Sequence, residues 1–153
     1  MRRGRGDRSG AFPTLDLNSE DKLQKLDMYK YLYKHKDMVM EIEKEIRWMG
    51  TAYADLLDFP EEPRRQAGFQ LGMIQVGLEP RHWKPFTQIG IGAKELRINT
   101  LEGAFRLIYT DRFESTVYVL HCFRKTTQVT TQRDKEVAGA RFRAIAHDRE
   151  DRP

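Results

Sequence analysis

One cysteine, Cys122, occurs in 153 residues, so no disulfide can close within the chain and a reducing, cytoplasmic setting is expected. Cys122 sits in the middle of an apolar alternating run and reads as a small buried hydrophobe. No apolar run approaches the ~18 residues that a bilayer span requires, and no membrane partner is expected. Arg2, Arg3, Arg5 and Arg8 are followed by no apolar stretch, so no secretory signal is read. Four histidines, His35, His82, His121 and His147, show no ligand spacing. With one cysteine and no D-x-D or H-E-x-x-H, neither a metal nor a cofactor is expected. The glycines of Q-I-G-I-G-A, Gln88 to Ala93, lack the G-K-[ST] ending and a following helix, which excludes a phosphate loop and leaves a turn.

Charge is abundant and unevenly placed. Lysine and arginine exceed aspartate and glutamate by four over the whole sequence. Residues 1–40 carry +3, residues 41–80 carry −4, residues 81–146 carry +6 and the last seven −1. A basic half on a small domain points to nucleic acid, with an acidic protein as the second option.

That basic half contains three alternating runs, K-E-L-R-I-N, A-F-R-L-I-Y-T and S-T-V-Y-V-L-H-C-F-R-K, between Lys94 and Lys125. Period two with β-branched and aromatic residues predicts strands, and N-T-L-E-G and D-R-F-E-S between them suit hairpin turns. The expected product is an antiparallel three-stranded meander. Leu96, Ile98, Phe105, Leu107 and Tyr109, with Tyr118, Leu120 and Cys122, are assigned to an apolar face. Arg97, Arg106, His121 and Lys125 are assigned to the other, where three cations and a histidine on a rigid sheet suit a phosphate backbone.

Upstream, residues 1–18 have no periodicity and are expected to be disordered. A helix is predicted from Ser19 to about Asp37, capped by Ser19; residues 1–40 are set apart as an extension that an upstream start codon would also explain. Glu45 to Met49 reads as a first strand. Thr51 is expected to cap a helix through Phe59, and Pro60 to open a second whose stripe includes Ala67, Leu71 and Ile74, ending near Gly77. This helical hairpin is the expected cover for the apolar face. Residues 81–85 read as a loop. Thr130 or Thr131 should cap a last helix with a stripe of Val137, Ala140 or Arg141, Ala144 and Ile145, and residues 148–153 are expected to fray. The fold class is therefore α+β: one N-terminal strand plus the meander, a covering hairpin and a C-terminal helix, over residues 41–147.

The runs W-K-P, K-E-L-R-I, A-F-R-L-I-Y, V-Y-V-L-H-C-F-R-K-T-T-Q and the R-D-x-E-x-A helix, with the upstream P-E-E-P-R-R-Q-A-G-F-Q-L segment, resemble HigB-type toxins. These are the phage-derived branch of the RelE/ParE superfamily of toxin–antitoxin systems. The resemblance spans roughly residues 45–146. It implies a small toxin that cuts mRNA on the ribosome without metal, and a cognate antitoxin, often a helix-turn-helix protein. The superfamily also includes ParE toxins that act on DNA gyrase by protein contact, and a non-catalytic nucleic-acid-binding relic is a third possibility.

Metal-free cleavage uses the ribose 2′-OH against its neighbouring phosphate. Arg97 and Arg106 match basic strand positions of RelE-type nucleases and are expected to stabilise the transition state. Lys125 is a candidate for leaving-group acid or for phosphate contact; the F-R-K run leaves Arg124 as a neighbour in contention, with strand parity favouring Lys125. His121 is either the general base or a structural or stacking histidine. Glu95 reads as a surface carboxylate in a salt bridge, or as a base. Lys84 and Lys94, placed in flanking loops, together with Phe123 and Arg124, are expected to touch RNA. Trp83 reads as core packing or as a stacking platform.

Overall fold

A computed structural model of the chain describes residues 43–150 together with Asp27, Lys30 and Lys34. Those three positions are helical and exposed; the predicted tail and helix of residues 1–37 otherwise lie outside the described residues. The ordered elements are β1 (Glu45–Trp48), α1 (Ala52–Leu57), α2 (Glu61–Gln75), β2 (Trp83–Pro85), β3 (Ala93–Thr100), β4 (Gly103–Thr110), β5 (Thr116–Lys125) and α3 (Gln132–Glu150). They form an α+β fold with one five-stranded sheet, ordered β1-β5-β4-β3-β2.

The meander β3-β4-β5 is antiparallel throughout, as its alternation predicts. β1 pairs with β5 in parallel, Glu45 opposite Thr116 and Trp48 opposite Val119, so the sheet is mostly rather than wholly antiparallel. Parallel pairing requires a crossover. The connection from β1 to β5 runs through the hairpin and the meander, which supplies one. Residues 83–85, expected as a loop, form the short edge strand β2 against Lys94–Leu96.

Both faces of the sheet bury apolar side chains. Ala52, Leu56 and Phe59 on and after α1, with Ala67, Leu71 and Ile74 of α2, pack on Leu96, Ile98, Phe105, Leu107, Tyr109, Val117, Val119 and Cys122. That is the predicted hairpin cover. Pro60 precedes α2, and Gly77 follows it with φ +82°, a left-handed stop that glycine adopts without strain. Thr51 does not cap the α1 backbone: its hydroxyl donates to Asp55 Oδ2 at 2.8 Å instead. On the opposite face α3 lays Ala138, Phe142 and Ile145 over Ile108, Tyr118 and Leu120. Its buried stripe is thus displaced by one residue from the predicted one at Val137. Thr131 caps it, accepting from the Asp134 backbone N–H at 3.1 Å. Residues 148–150, expected to fray, remain helical. Asp148 takes a hydrogen bond from the Tyr118 hydroxyl at 2.9 Å and an ion pair from Arg47, which tie the last turn to the sheet.

The second apolar patch exists because β5 is irregular. Ile108 faces His121, whereas Tyr109 faces Val119, so Leu120 is an extra residue in the ladder. A bulge of this kind shifts side-chain parity by one. Val117 and Val119 therefore join Cys122 toward the hairpin, and Tyr118 and Leu120 turn toward α3. The strict alternation predicted for β5 holds only beyond the bulge, from His121 to Lys125.

Candidate functional site

α3 covers only part of its face, and the open part holds most of the cations. Residues directly opposite across the ladder share a face, so the pairings define three rows. The first is Lys84, Glu95, Ile108 and His121; the second Arg97, Arg106 and Phe123; the third Asn99, Ala104 and Lys125.

Glu95 lies at the hub. Its Oε1 is 3.7 Å from Lys84 Nζ and 3.9 Å from the Nε of both Arg97 and Arg106. It is 1% exposed, which corrects the surface position assigned from its parity with Arg97: β2 and the turn before α3 close over it, and Thr130 Oγ1 donates to its Oε2 at 3.4 Å. Glu95 Oε1 and the Nε of both arginines are buried without a hydrogen bond, so at these separations the cluster is held by charge rather than by short hydrogen bonds. Arg106 is 4% exposed. Its Nη1 donates to Asn99 Oδ1 at 3.0 Å and to the Phe105 carbonyl at 2.9 Å. Burial, and repulsion from Arg97, lower the affinity of Arg106 for its proton, while Glu95 opposes them. A guanidinium still keeps its charge at any working pH.

Lys125 borders a groove of about 300 Å³ that Lys84, Glu95 and Lys135 also line. Burial lowers its pKa, repulsion from Arg106 adds to this, Glu95 works against it, and Lys84 and Arg97 add smaller repulsions. An ammonium with a depressed pKa surrounded by cations gives up its proton more readily than a free lysine.

His121 Nε2 is 2.8 Å from Asp134 Oδ1, and its ring stacks on Phe123 at 4.9 Å between centroids. Nδ1 is buried and has no hydrogen-bond partner. Asp134 comes from the first turn of α3, where Thr131 Oγ1 donates to its second oxygen at 2.7 Å. The carboxylate thus fixes a proton on Nε2 and leaves Nδ1 as the basic nitrogen.

Other predicted site residues lie elsewhere. Lys94 is in β3, not in a loop, and faces the hairpin side, paired with Asp111 at 2.9 Å and over the Trp83 ring at 4.7 Å. Lys84 also lies in a strand, β2, but keeps to the cationic face. Arg124 points away from that face, its guanidinium over Phe105 and bonded to the Glu102 carbonyl. The Lys125 parity argument therefore survives, because the bulge lies before it. Trp83 is half-buried with Nε1 donating to Glu79 at 2.7 Å, also on the hairpin side. Burial pushes the Cys122 thiol pKa up, which keeps it protonated. Asp134 and Lys135 were not foreseen at the site, and Thr130 was foreseen only as a helix cap, since no local pattern says which strand a helix start will meet. Among the described residues, no three His, Cys, Asp or Glu side chains gather around a point where one ion would fit, and no helix is long and apolar enough to cross a membrane.

Residues 54–143, more than half of the chain, match the family described as Phage derived protein Gp49-like. The chain belongs to this family. Gp49-like proteins are a RelE-like, toxin-like family. No curated protein matches the chain significantly. The Gp49-like match runs from α1 to the middle of α3, and so takes in every residue of the cationic face.

Proposed function

We propose that this Gp49-like protein is a HigB-type toxin of a toxin–antitoxin system, a metal-independent endoribonuclease that cuts mRNA on the ribosome and is neutralised by a cognate antitoxin. The observation that carries this reading is the gathering of Lys84, Arg97 and Arg106 within 4 Å of the Glu95 carboxylate, with Lys125 in the adjoining row of the same open face.

RNA cleavage by its own 2′-OH passes through a phosphorane carrying more charge than the starting diester. Arg97, its side chain 40% exposed, meets that charge directly, and Arg106, 4% exposed, adds its own once RNA opens the cluster. Glu95 does not touch the substrate in this scheme; it positions three cations that would otherwise repel one another. His121 accepts the 2′-OH proton at Nδ1, its tautomer set by Asp134, once RNA displaces the groups covering that nitrogen. Lys125 delivers a proton to the departing 5′-oxygen. The O–P bond to the 2′-oxygen forms as the P–O bond to the 5′-oxygen breaks, giving a cyclic phosphate and a free 5′-hydroxyl.

Induced expression, with transcript 5′ ends mapped by primer extension, tests the reading. Fresh ends inside coding regions are expected, and Arg97→Ala and Arg106→Ala should each relieve growth arrest and remove those ends. Folded variants that stay fully toxic would overturn it. Intact mRNA with a DNA-damage response would instead identify a gyrase-directed toxin.

A further inference from the structure

Beside the cationic face lies a second cavity, of about 330 Å³, between α2 and the far end of β3. β2 stops pairing at Leu96, and the last contact on that edge is the Arg97 N–H to the His82 carbonyl at 2.7 Å. Beyond this point α2 flanks the strand and leaves a cleft lined by Gln66, Arg81, His82, Arg97 and Asn99. Its size is at the small end for ligand pockets, about 300–1,000 Å³, and its walls are more polar than most. Two of its residues also belong to the cationic cluster: Arg97 approaches Glu95, and Asn99 accepts from Arg106.

We propose that this cleft is a nucleobase subsite that takes guanine, next to the phosphate gripped by Arg97. The inference rests on the nuclease reading above. Hydrogen bonds already made within the protein set what the cleft offers. Asn99 Oδ1 is held by Arg106, so its amide N–H groups are the ones presented. Gln66 Nε2 donates to Glu62 at 3.0 Å, so its carbonyl oxygen is presented. The Arg97 guanidinium, at the boundary with the phosphate, adds donors. Asparagine and arginine donors thus stand beside the Gln66 carbonyl acceptor. Guanine answers with O6 and N7 as acceptors and N1–H and N2–H₂ as donors, and arginine is its commonest specific partner. Adenine and cytosine place an amino group where guanine has O6, and uracil has a C5–H where guanine has N7, so guanine alone offers an arginine fork two adjacent acceptors. The exposed His82 imidazole at the rim supplies a stacking surface, as bases splayed from single strands require.

The experiment is sequencing of transcript 5′ ends after expression of the full chain, with Gln66→Ala and His82→Ala beside the parent. Gln66 is half-buried on α2 and alanine suits a helix, so the fold is retained. Guanine should be enriched at one fixed position next to the cut. Gln66→Ala should lower that enrichment by about 5-fold or more while the total yield of ends stays the same; His82→Ala should lower it too. Enrichment of another base there, or guanine enrichment untouched in both variants, would overturn the subsite while leaving the nuclease standing. Growth arrest without new ends in the parent would overturn both.

Discussion

Glu95 Oε1 lies 3.9 Å from Arg106 Nε, and these two residues are 1% and 4% exposed. A carboxylate and a guanidinium taken out of water together stay stable only as partners. Removing one leaves an uncompensated buried charge, which costs about 3–5 kcal/mol. Glu95→Gln should fall at the lower end of that range, because Lys84 and Arg97 reach solvent with side chains 51% and 40% exposed. A lower urea midpoint with an unchanged slope would show it. A midpoint equal to the parent's would mean that the hub is not what holds the cations.

Arg106→Lys keeps the charge and loses the fork. Lysine cannot bond Asn99 Oδ1 and the Phe105 carbonyl while also donating to a phosphate, the role proposed for the guanidinium. The cleavage rate should drop by about 10²–10³, the usual loss when one preorganised donor to a developing anion is removed. Full activity in Arg106→Lys would reduce its role to point charge.

Lys125 makes activity depend on pH in a definite direction. Its folded pKa lies below that of an ordinary lysine, chiefly through burial. Between the folded and unfolded values the unfolded chain binds more protons, so this residue's cost to stability is full below the folded pKa and fades as pH rises through it. The acid needed for the leaving group disappears over the same interval. The alkaline fall in cleavage rate should therefore come at lower pH than for a free lysine. Lys125→Arg should move that limb out of the measurable range, and a limb that stays in place would remove Lys125 from proton transfer.

His121→Gln and Asp134→Asn separate proton transfer from support. Glutamine has no basic nitrogen but can still donate to Asp134, so α3 stays anchored. Loss of a general base should slow cleavage by about 10²–10⁴. Asp134→Asn disturbs the tautomer rather than removing the base, and should lower the rate less than His121→Gln does. If both variants lose only thermal stability, the pair serves to fasten the first turn of α3.

The meander and its hairpin cover were legible because period-two alternation, Pro60 and Gly77 act locally and agree with one another. Arg97 and Arg106 could be placed on one face for the same reason: they stand directly opposite in a regular antiparallel ladder. What could not be read depends on partners distant in sequence. The parallel pairing of β1 is set by the crossover, not by its own residues. Glu95 looks like any exposed strand carboxylate until β2 and Thr130 close over it. Asp134 looks like a helix-capping acid and also contacts a histidine thirteen residues earlier. Leu120 interrupts no hydrophobic pattern, so its bulge left no trace, yet it decides which half of β5 faces α3.

That bulge has a side chain assigned to it. β1 ends where the Met49 N–H bonds the Val119 carbonyl at 2.9 Å, and the next carbonyl, Leu120, accepts from Arg141 Nη1 at 2.9 Å. The other arm of Arg141 reaches Thr51 Oγ1 at 3.0 Å, joining α3 to the start of α1 across the strand edge. Gly50 permits this approach: a Cβ there would lie 2.5 Å from Arg141 Nε, and its φ of +56° would strain any other residue. Arg141→Ala should cost about 1–3 kcal/mol, the penalty for a polar group left without its partner. Water entering the edge would offset part of that. Since Leu120 immediately precedes His121, loosening the bulge should also let the imidazole turn. Amide hydrogen exchange should then rise selectively at residues 119–123 while the β3–β4 pairing stays protected. Uniform loosening of the whole sheet would contradict a local role, and unchanged exchange would show that the bulge holds itself.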